Sequence, residues 1–186
     1  MDVELRDLYD KNRHLTGEVI RKGDPIPNNK YILVVLAIIQ NSKGDFLIQK
    51  RSKQKGGRFA FTGGHAKTGE NSIQAIITEV KEELGLDIAP TELKLFYSDK
   101  DEDCFFDLYY VKKDFDLNSL ILQKEEVESV KWCNEDEIHL MENNNIFFGT
   151  HYESFVRFLN FYNNKGEILW KKELKLQLEL ELLFLL

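Results

Sequence analysis

The chain has 186 residues, of which 42% are hydrophobic, and its formal net charge is −7 at pH 7 with an isoelectric point near 5.2. This length and composition predict one globular domain with a sizeable core. The acidic balance and the lack of a dominant cluster of lysine and arginine argue against a nucleic-acid-binding protein. No apolar run reaches the length of a transmembrane helix, so we expect neither a nucleic-acid nor a membrane partner.

The cysteines and the first residues bear on the compartment. Cys104 and Cys133 have neither the spacing of a zinc site nor the density of a disulfide scaffold, so we expect reduced thiols. The opening sequence MDVELRDLYD is acidic and lacks the basic and apolar regions of a secretory signal. Together these features predict a cytoplasmic protein.

The N-terminal third predicts a hairpin and two strands. Val3 to Tyr9 and Leu15 to Ile20 flank a turn-rich quartet, Asp10 to Arg13, which is typical of a β-hairpin. Tyr31 to Gln40 is almost continuously apolar, which predicts a central strand buried on both faces. Phe46 to Gln49 is expected to return as a second strand.

A glycine-rich stretch then leads into a predicted helix over Ser72 to Leu84. Apolar residues at helical spacing form the stripe that should face the core, namely Ile73, Ile76, Ile77, Val80 and Leu84. Asn71 or Ser72 can cap the N-terminus, and Gly85 supplies the left-handed position that ends the helix.

Three carboxylates lie on another face of this helix. Glu79, Glu82 and Glu83 are neighbours on the helix surface because of their i, i+3 and i+4 spacing. Like charges this close repel and raise the pKa of at least one member, whereas a divalent cation reverses that balance. Oxygen ligands suit Mg²⁺ or Mn²⁺. A glutamate-rich helical face is more often simply solvated, so this face alone does not establish a metal site.

The second half of the chain predicts further strands and helices. Leu93 to Ser98 and the aromatic segment Asp103 to Lys112 are expected to be strands. Glu135 to Glu142 and Thr150 to Tyr162 are expected to be helices that pack on the sheet. His151 lacks metal-type partners in the sequence, so we expect it to be structural.

Over the 23 positions from Gly64 to Leu86, the glycines, glutamates and apolar residues resemble the Nudix box. The matching positions are Gly64, Glu70, Glu79, Val80, Glu82, Glu83, Gly85 and Leu86. The resemblance implies an α/β fold, a Nudix-type α/β/α sandwich with a central mixed β-sheet, to which the sequence adds the N-terminal hairpin. We assign residues 1–172 to this domain, with the hairpin at 1–22, and leave the leucine-rich tail at 173–186 unassigned.

The same resemblance implies a pyrophosphohydrolase, which cleaves a diphosphate linkage joining a nucleoside or another organic group to a second moiety. Mg²⁺, or Mn²⁺ in its place, would be the cofactor, and the partner would be a small-molecule diphosphate or nucleotide. The hairpin and the tail are also candidate surfaces for a homodimer.

Roles for individual residues follow from the resemblance. The Gly63 carbonyl would join Glu82 and Glu83 around the metal. Glu79 would take the proton of the attacking water or share a second metal. Glu126 is the candidate for a further ligand or base, and the adjacent Glu125 is the alternative.

Other motif positions are assigned to substrate binding or to structure. Arg51 is the first candidate for a substrate phosphate contact and Lys50 the second, because both stand where the second strand emerges. Gly64 lets the backbone approach a ligand closely. Glu70 and Gly85 are expected to fix the loop and the end of the helix.

One position departs from the family pattern. Thr78 stands where the family has an arginine that helps to orient the neighbouring glutamate. A hydroxyl does not replace a planar guanidinium with five donors. We therefore expect either a compensating cation, with Lys81 or Arg51 as candidates, or a slow or inactive enzyme.

Two alternatives stay open at this point. The first is a catalytically weak or inactive module that binds diphosphates, as the departure at Thr78 would allow. The second is an enzyme like isopentenyl-diphosphate isomerase, since such enzymes share the box and resemble the opening hairpin. That chemistry needs a cysteine near the loop, and Cys104 would have to come from a distant strand.

Overall fold

A computed structural model describes residues 4–163 of the chain. The strands are β1 (Leu5–Tyr9), β2 (Leu15–Arg21), β3 (Ile32–Gln40), β4 (Phe46–Arg51), β5 (Phe59–Ala60), β6 (Thr62–His65), β7 (Lys94–Lys100), β8 (Cys104–Lys112) and β9 (Val127–Cys133). The helices are α1 (Ser72–Leu84), α2 (Glu135–Asn143) and α3, at 149–163, with 3₁₀ turns at Lys53–Lys55, Pro90–Glu92 and Leu117–Ser119. No helix in this range is long and apolar enough to cross a bilayer. The tail at 173–186 and the expected domain end at 172 lie outside the described residues.

Strand β3 lies at the centre of a mixed sheet. It pairs in parallel with β8 and antiparallel with β6. β7 runs antiparallel beyond β8. A turn connects β3 to β4, and Gln40 pairs with Phe46 at its base. β5 and β9 both pair with β4 in antiparallel orientation. The predicted mixed sheet is confirmed.

Alternate residues of β3 face two separate apolar layers, because side chains along a strand point to opposite faces. Leu33, Val35 and Ala37 belong to the cluster that contains the buried residues of α1. Leu36 and Ile38 belong to the cluster that contains the apolar residues of α2 and α3. The expected burial of this strand on both faces and the α/β/α sandwich are therefore confirmed.

Helix α1 has the bounds that the sequence predicts. Asn71 accepts a hydrogen bond from the Gln74 N–H at 3.0 Å, the Gln74 side chain accepts one from the Asn71 N–H at 2.9 Å, and Gly85 follows the helix at φ 68°. The predicted stripe is wrong at its first position. Ile73 is 42% exposed, and Ala75 is fully buried in its stead.

Strands β1 and β2 form the predicted N-terminal hairpin, which is tied to the sheet at two places. Tyr9 and Tyr31 exchange backbone hydrogen bonds of 2.8 and 3.0 Å. In the hairpin turn, Arg13 forms a bidentate ion pair with Asp107, which is buried in the middle of β8. The Ser72 hydroxyl at the start of α1 donates to the same carboxylate. One buried carboxylate thus joins the hairpin, the sheet and α1.

Candidate active site

A cavity of about 400 Å³ is lined by residues of the hairpin, β3, β4, β6 and α1. Seven of the residues to which the sequence assigns site roles line it: Arg51, Gly63, Gly64, Glu79, Glu82, Glu83 and Glu126. The structure therefore brings together side chains that are far apart in the chain. Their individual roles stay predictions.

The other candidates lie elsewhere. Lys50 does not line the cavity, and its ammonium pairs with Glu128 at 2.7 Å on the surface. Glu125 is exposed and does not line the cavity, whereas Glu126 does and pairs with Lys55 at 2.7 Å. Glu126 is thus the better placed of the two glutamates.

Gly63 and Gly64 lie in strand β6, so part of the glycine-rich stretch is a strand. A Cβ at Gly64 would stand 2.4 Å from the carboxyl group of Glu79. A Cβ at Gly63 would stand 2.3 Å from the carbonyl oxygen of Val35 on the paired strand β3. The close approach of the β3 backbone therefore admits only glycine at position 63, whereas a side chain at position 64 would displace the Glu79 carboxylate.

The two less exposed carboxylates of the cluster carry raised pKa values. Glu83 is 7% exposed, and its burial raises its pKa to about 8 although Gln49 Nε2 donates to it at 3.0 Å. Burial, with the charge of Glu82 adding to it, raises the pKa of Glu79 to about 7. A carboxylate that loses water without gaining a cation holds its proton more tightly. Near neutral pH, these residues therefore hold protons that a cation would displace.

The third carboxylate of the cluster is held by a lysine. Glu82 is exposed and forms an ion pair with Lys67. Within residues 4–163, no three side chains of the kinds that ligate metals are already placed to hold one ion. The all-oxygen donor set suits Mg²⁺ or Mn²⁺ in its chemistry. Binding would exchange the contact between Glu82 and Lys67 for one with the cation.

Thr78 contacts Glu70. The Thr78 hydroxyl donates to Glu70 Oε1 at 2.7 Å, and Glu70 Oε2 accepts from the Lys67 N–H at 2.9 Å. Lys81, one of the two candidate compensating cations, pairs with Asp87 at 2.7 Å instead. Thr78 therefore helps to hold the loop before α1 through Glu70.

Sequence reasoning missed the contribution of the hairpin to the cavity. Glu4, Arg6 and Lys22 all line it. Arg6 is only 9% exposed. Burial, followed by the charge of Arg6, lowers the pKa of the neighbouring His65 to about 4, so that imidazole is neutral at physiological pH. The available signal was the alternation of β1, which puts Arg6 on the same buried face as Leu8.

A second cavity, of about 230 Å³, shares Val34, Thr150 and His151 with the first. Phe106 and Cys104 also line it. Burial lowers the pKa of His151 to about 3, and its buried Nδ1 has no hydrogen-bond partner in the described part of the chain. The sequence indicated only a structural role for this histidine, whereas the structure places it at the junction of the two cavities.

Cys104, at the start of β8, bears on the isomerase alternative. It lines the second cavity and is absent from the lining of the carboxylate cavity. Burial raises the pKa of its thiol to about 11, so the thiol is neutral. No observation on this cysteine favours isomerase chemistry.

Comparison with known proteins agrees with this geometry. The model of the NUDIX domain family matches residues 30–153, which is more than half of the chain. The chain belongs to the Nudix family. An uncharacterized Nudix hydrolase of Listeria monocytogenes is 36% identical over 151 residues, which cover 78% of this chain and 88% of that protein. The suggested Nudix resemblance is thereby confirmed.

Two further similarities concern activity and fold. A nucleoside triphosphatase of an Enterobacter species is 25% identical over 124 residues, which cover 60% of this chain and 87% of that protein. A Deinococcus radiodurans crystal structure matches with a TM-score of 0.62 at 22% identity, over 75% of this chain and 90% of that one. This Nudix chain is a hydrolase of the pyrophosphohydrolase type. Its fold is similar to that of the Deinococcus radiodurans protein.

Proposed function

We propose that this Nudix chain catalyses the Mg²⁺-dependent hydrolysis of a diphosphate linkage that joins a nucleoside, or another organic group, to a second moiety. The observation that carries the proposal is a single cavity in which buried carboxylates stand beside guanidinium groups. Carboxylates of this kind hold a hard cation, and guanidinium groups bind phosphate oxygens. Mn²⁺ is expected to substitute for Mg²⁺.

Glu82, Glu83 and the Gly63 carbonyl would hold the cation, with Glu126 as a further ligand. The bound cation would lower the pKa of a coordinated water and neutralise charge on the phosphoryl group. Gln49 fixes the Glu83 carboxylate through the 3.0 Å hydrogen bond from its amide. That residue therefore enters the proposal as the support for a ligand.

Glu79 is the candidate general base. Its alternative role is to ligate a second metal ion. Its pKa of about 7 lies close to the operating pH, where a group can both accept and release a proton. The absence of a side chain at Gly64 leaves room for its carboxylate at the cavity wall. Glu79 and Glu83 titrate as a coupled pair, so the pH profile of activity reports both.

The substrate would span both cavities. Arg51 Nε donates to the Lys55 carbonyl at 3.2 Å, and the guanidinium lies over the Phe148 ring, 5.2 Å from its centroid. These contacts hold the Arg51 guanidinium at the wall of the first cavity, where it would bind the substrate phosphates. The organic group would occupy the second cavity, where Phe106 offers an aromatic face and Leu36 an aliphatic one.

A small substrate panel tests this proposal. We would measure the release of phosphate and nucleotide from ADP-ribose, a nucleoside triphosphate, a dinucleoside polyphosphate, a nucleotide sugar and isopentenyl diphosphate, with and without Mg²⁺. We expect turnover of at least one member, which needs Mg²⁺ and is lost in Glu83→Gln. Binding without product would instead support the inactive module, and rearrangement of isopentenyl diphosphate without hydrolysis would support the isomerase.

The proposed homodimer is a separate question. Within the described residues, β2 pairs only with β1, and it exposes Leu15 at 63% and Val19 at 45%. An unpaired edge with apolar side chains is a surface on which a second copy could pair. Light scattering after size exclusion should give twice the 21.8 kDa chain mass. The mass of a single chain would contradict the dimer.

A further inference from the structure

We propose that Arg6, in the N-terminal hairpin, binds a phosphate oxygen of the substrate and makes the hairpin part of the diphosphate site. The inference rests on the proposed function and deepens it. Arg6 lies outside residues 30–153, the part of the chain that the family model matches. The family match therefore does not itself assign Arg6 a role in the site.

Arg6 carries a buried hydrogen-bond donor without a partner among the described residues. Arg6 is 9% exposed and lines the cavity, and its Nε has no hydrogen-bond partner among the described residues. The closest carboxylate oxygen, on Glu4, is 3.8 Å from Arg6 Nη2, which exceeds hydrogen-bond length. Buried guanidinium groups are normally satisfied in full, so this one lacks an acceptor that a ligand in the cavity would supply.

The residues on both sides of Arg6 are tied to the loop before α1. The Leu5 carbonyl accepts from the Thr68 N–H at 2.9 Å, and the Asp7 carboxylate accepts from the Gly69 N–H at 2.8 Å. That loop connects β6 to the helix that carries the glutamates. Arg6 is therefore held in register with the carboxylate cluster, as a residue that contacts the substrate must be.

The anion that would complete the contacts of Arg6 is a phosphate group. Glu4 already pairs with Lys22 at 2.8 Å, and Glu79 is committed to the cation or to the water in the proposed function. The remaining acceptors are phosphate oxygens, which match the planar fork of a guanidinium. Arg6 comes from β1 and Arg51 from β4, and both line the same cavity as the glutamates. Two cations from different strands around one cavity suit a substrate with at least two phosphoryl groups.

Calorimetric titration with imidodiphosphate, a diphosphate analogue that resists hydrolysis, tests the proposal on the full chain in Mg²⁺. We expect Arg6→Gln to weaken binding at least tenfold and Arg6→Lys to weaken it less, because a lysine keeps the charge and loses the fork. The control is Arg21→Gln, on an exposed residue of the same hairpin that does not line the cavity. It should bind within twofold of the wild type.

An affinity of Arg6→Gln within twofold of the wild type would overturn the proposal, as would an equal loss in Arg21→Gln or no binding by the wild type. If Arg6→Gln fails to fold, the wild type decides by NMR. The Arg6 Nε–H resonance, assigned by its absence in Arg6→Lys, should shift when imidodiphosphate binds, and an unmoved resonance would contradict the contact.

The two proposals fail in different ways. Imidodiphosphate binding that needs Arg6, without hydrolysis of any substrate, would refute the proposed hydrolysis and keep the role of Arg6. Hydrolysis that needs Glu83, with binding indifferent to Arg6, would refute the role of Arg6 alone.

Discussion

Two regions of this Nudix hydrolase bury carboxylates in opposite surroundings. Asp107, in β8, is 2% exposed, and burial alone would raise its pKa. The Arg13 guanidinium and the hydroxyls of Ser72 and Ser98 outweigh that effect and hold the pKa of Asp107 below its ordinary value. This carboxylate is ionised and fully supplied with donors, so it holds the fold together.

Glu83, in α1, is 7% exposed, and burial raises its pKa to about 8 because one amide donor from Gln49 does not offset the lost water. Glu79 adds a second carboxyl group with a raised pKa. The difference teaches that burial by itself does not mark a functional acid. Glu79 and Glu83 form no ion pair within the described residues, so a divalent metal would supply the opposite charge that Asp107 receives from Arg13.

The largest effect is expected from Glu83→Gln, which removes a carboxyl group from the cluster that would hold the divalent cation. We expect the rate of Mg²⁺-dependent hydrolysis to fall by about 10³-fold or more, since a ligand and its charge are both lost. Circular dichroism should show an intact fold. Glu128→Gln, on an exposed glutamate outside the cavity, is the matched control and should keep full activity. An unchanged rate in Glu83→Gln would remove the mechanism.

Breaking the ion pair between Arg13 and Asp107 should instead reduce the stability of the fold. Arg13→Ala leaves the Asp107 carboxylate buried with hydroxyl donors only. Loss of one partner of a buried ion pair costs several kcal/mol, and because Arg13 is partly exposed we expect roughly 2 to 3 kcal/mol. Urea unfolding measures this loss. Lys11→Ala, on an exposed residue of the same turn, should leave the free energy of unfolding unchanged. An equally stable Arg13→Ala would contradict the structural role of the pair.

Stability of the metal-free protein should fall as pH rises from 7 to 9. The folded pKa of Glu83, about 8, lies above its ordinary value of 4.5, so the folded state binds more protons than the unfolded state in this window. The histidines with lowered pKa are neutral in both states above pH 7. We expect Glu83 to contribute a loss of about 1 kcal/mol, seen as the difference between the wild type and Glu83→Gln.

The same stability measurement in the presence of Mg²⁺ tests whether the cation offsets this loss. The cation should restore the stability of the wild type at pH 9 and leave Glu83→Gln unaffected. A wild type that is no less stable at pH 9 than at pH 7 would show that Glu83 has its ordinary pKa.

The smallest effect is expected at the ion pair between Lys67 and Glu82. Lys67→Met frees Glu82 for the cation, and an exposed pair is worth at most about 1 kcal/mol, so Mg²⁺ affinity should rise by about threefold. Lys81→Met is the control, because its pair with Asp87 lies outside the cavity. Weaker Mg²⁺ binding in Lys67→Met would mean that this lysine supports the site.

Features that depend on residues close together in the chain could be predicted from the sequence, whereas contacts between distant residues could not. The bounds of α1, the burial of β3 and the hairpin depend on local periodicity and turn residues, and all are confirmed. Glu79, Glu82 and Glu83 lie on one helix, so their proximity could also be predicted from local spacing. The contact between Arg13 and Asp107 joins residues 94 positions apart, and no pattern in the chain marks it.

Missed features of the site have the same cause. Arg6 and His151 reach the cavity through packing of the hairpin and of α3, which single-sequence periodicity does not specify. The sequence indicated no partner for Thr78, and the structure shows that its hydroxyl donates to Glu70 in the loop before α1. Ile73 fits the apolar stripe by spacing, yet it is 42% exposed, and Ala75 packs in the core at the start of the helix instead.

Proton release on Mg²⁺ binding tests the central claim most directly. Calorimetry at pH 7.5 in buffers of different ionisation enthalpy counts the protons that leave when the cation binds. With pKa values of about 7 for Glu79 and about 8 for Glu83, we expect about one proton to leave per Mg²⁺, and Glu83→Gln to abolish most of this release. Mg²⁺ binding without proton release, or an equal release in Glu83→Gln, would contradict the claim that these buried carboxylates await a cation.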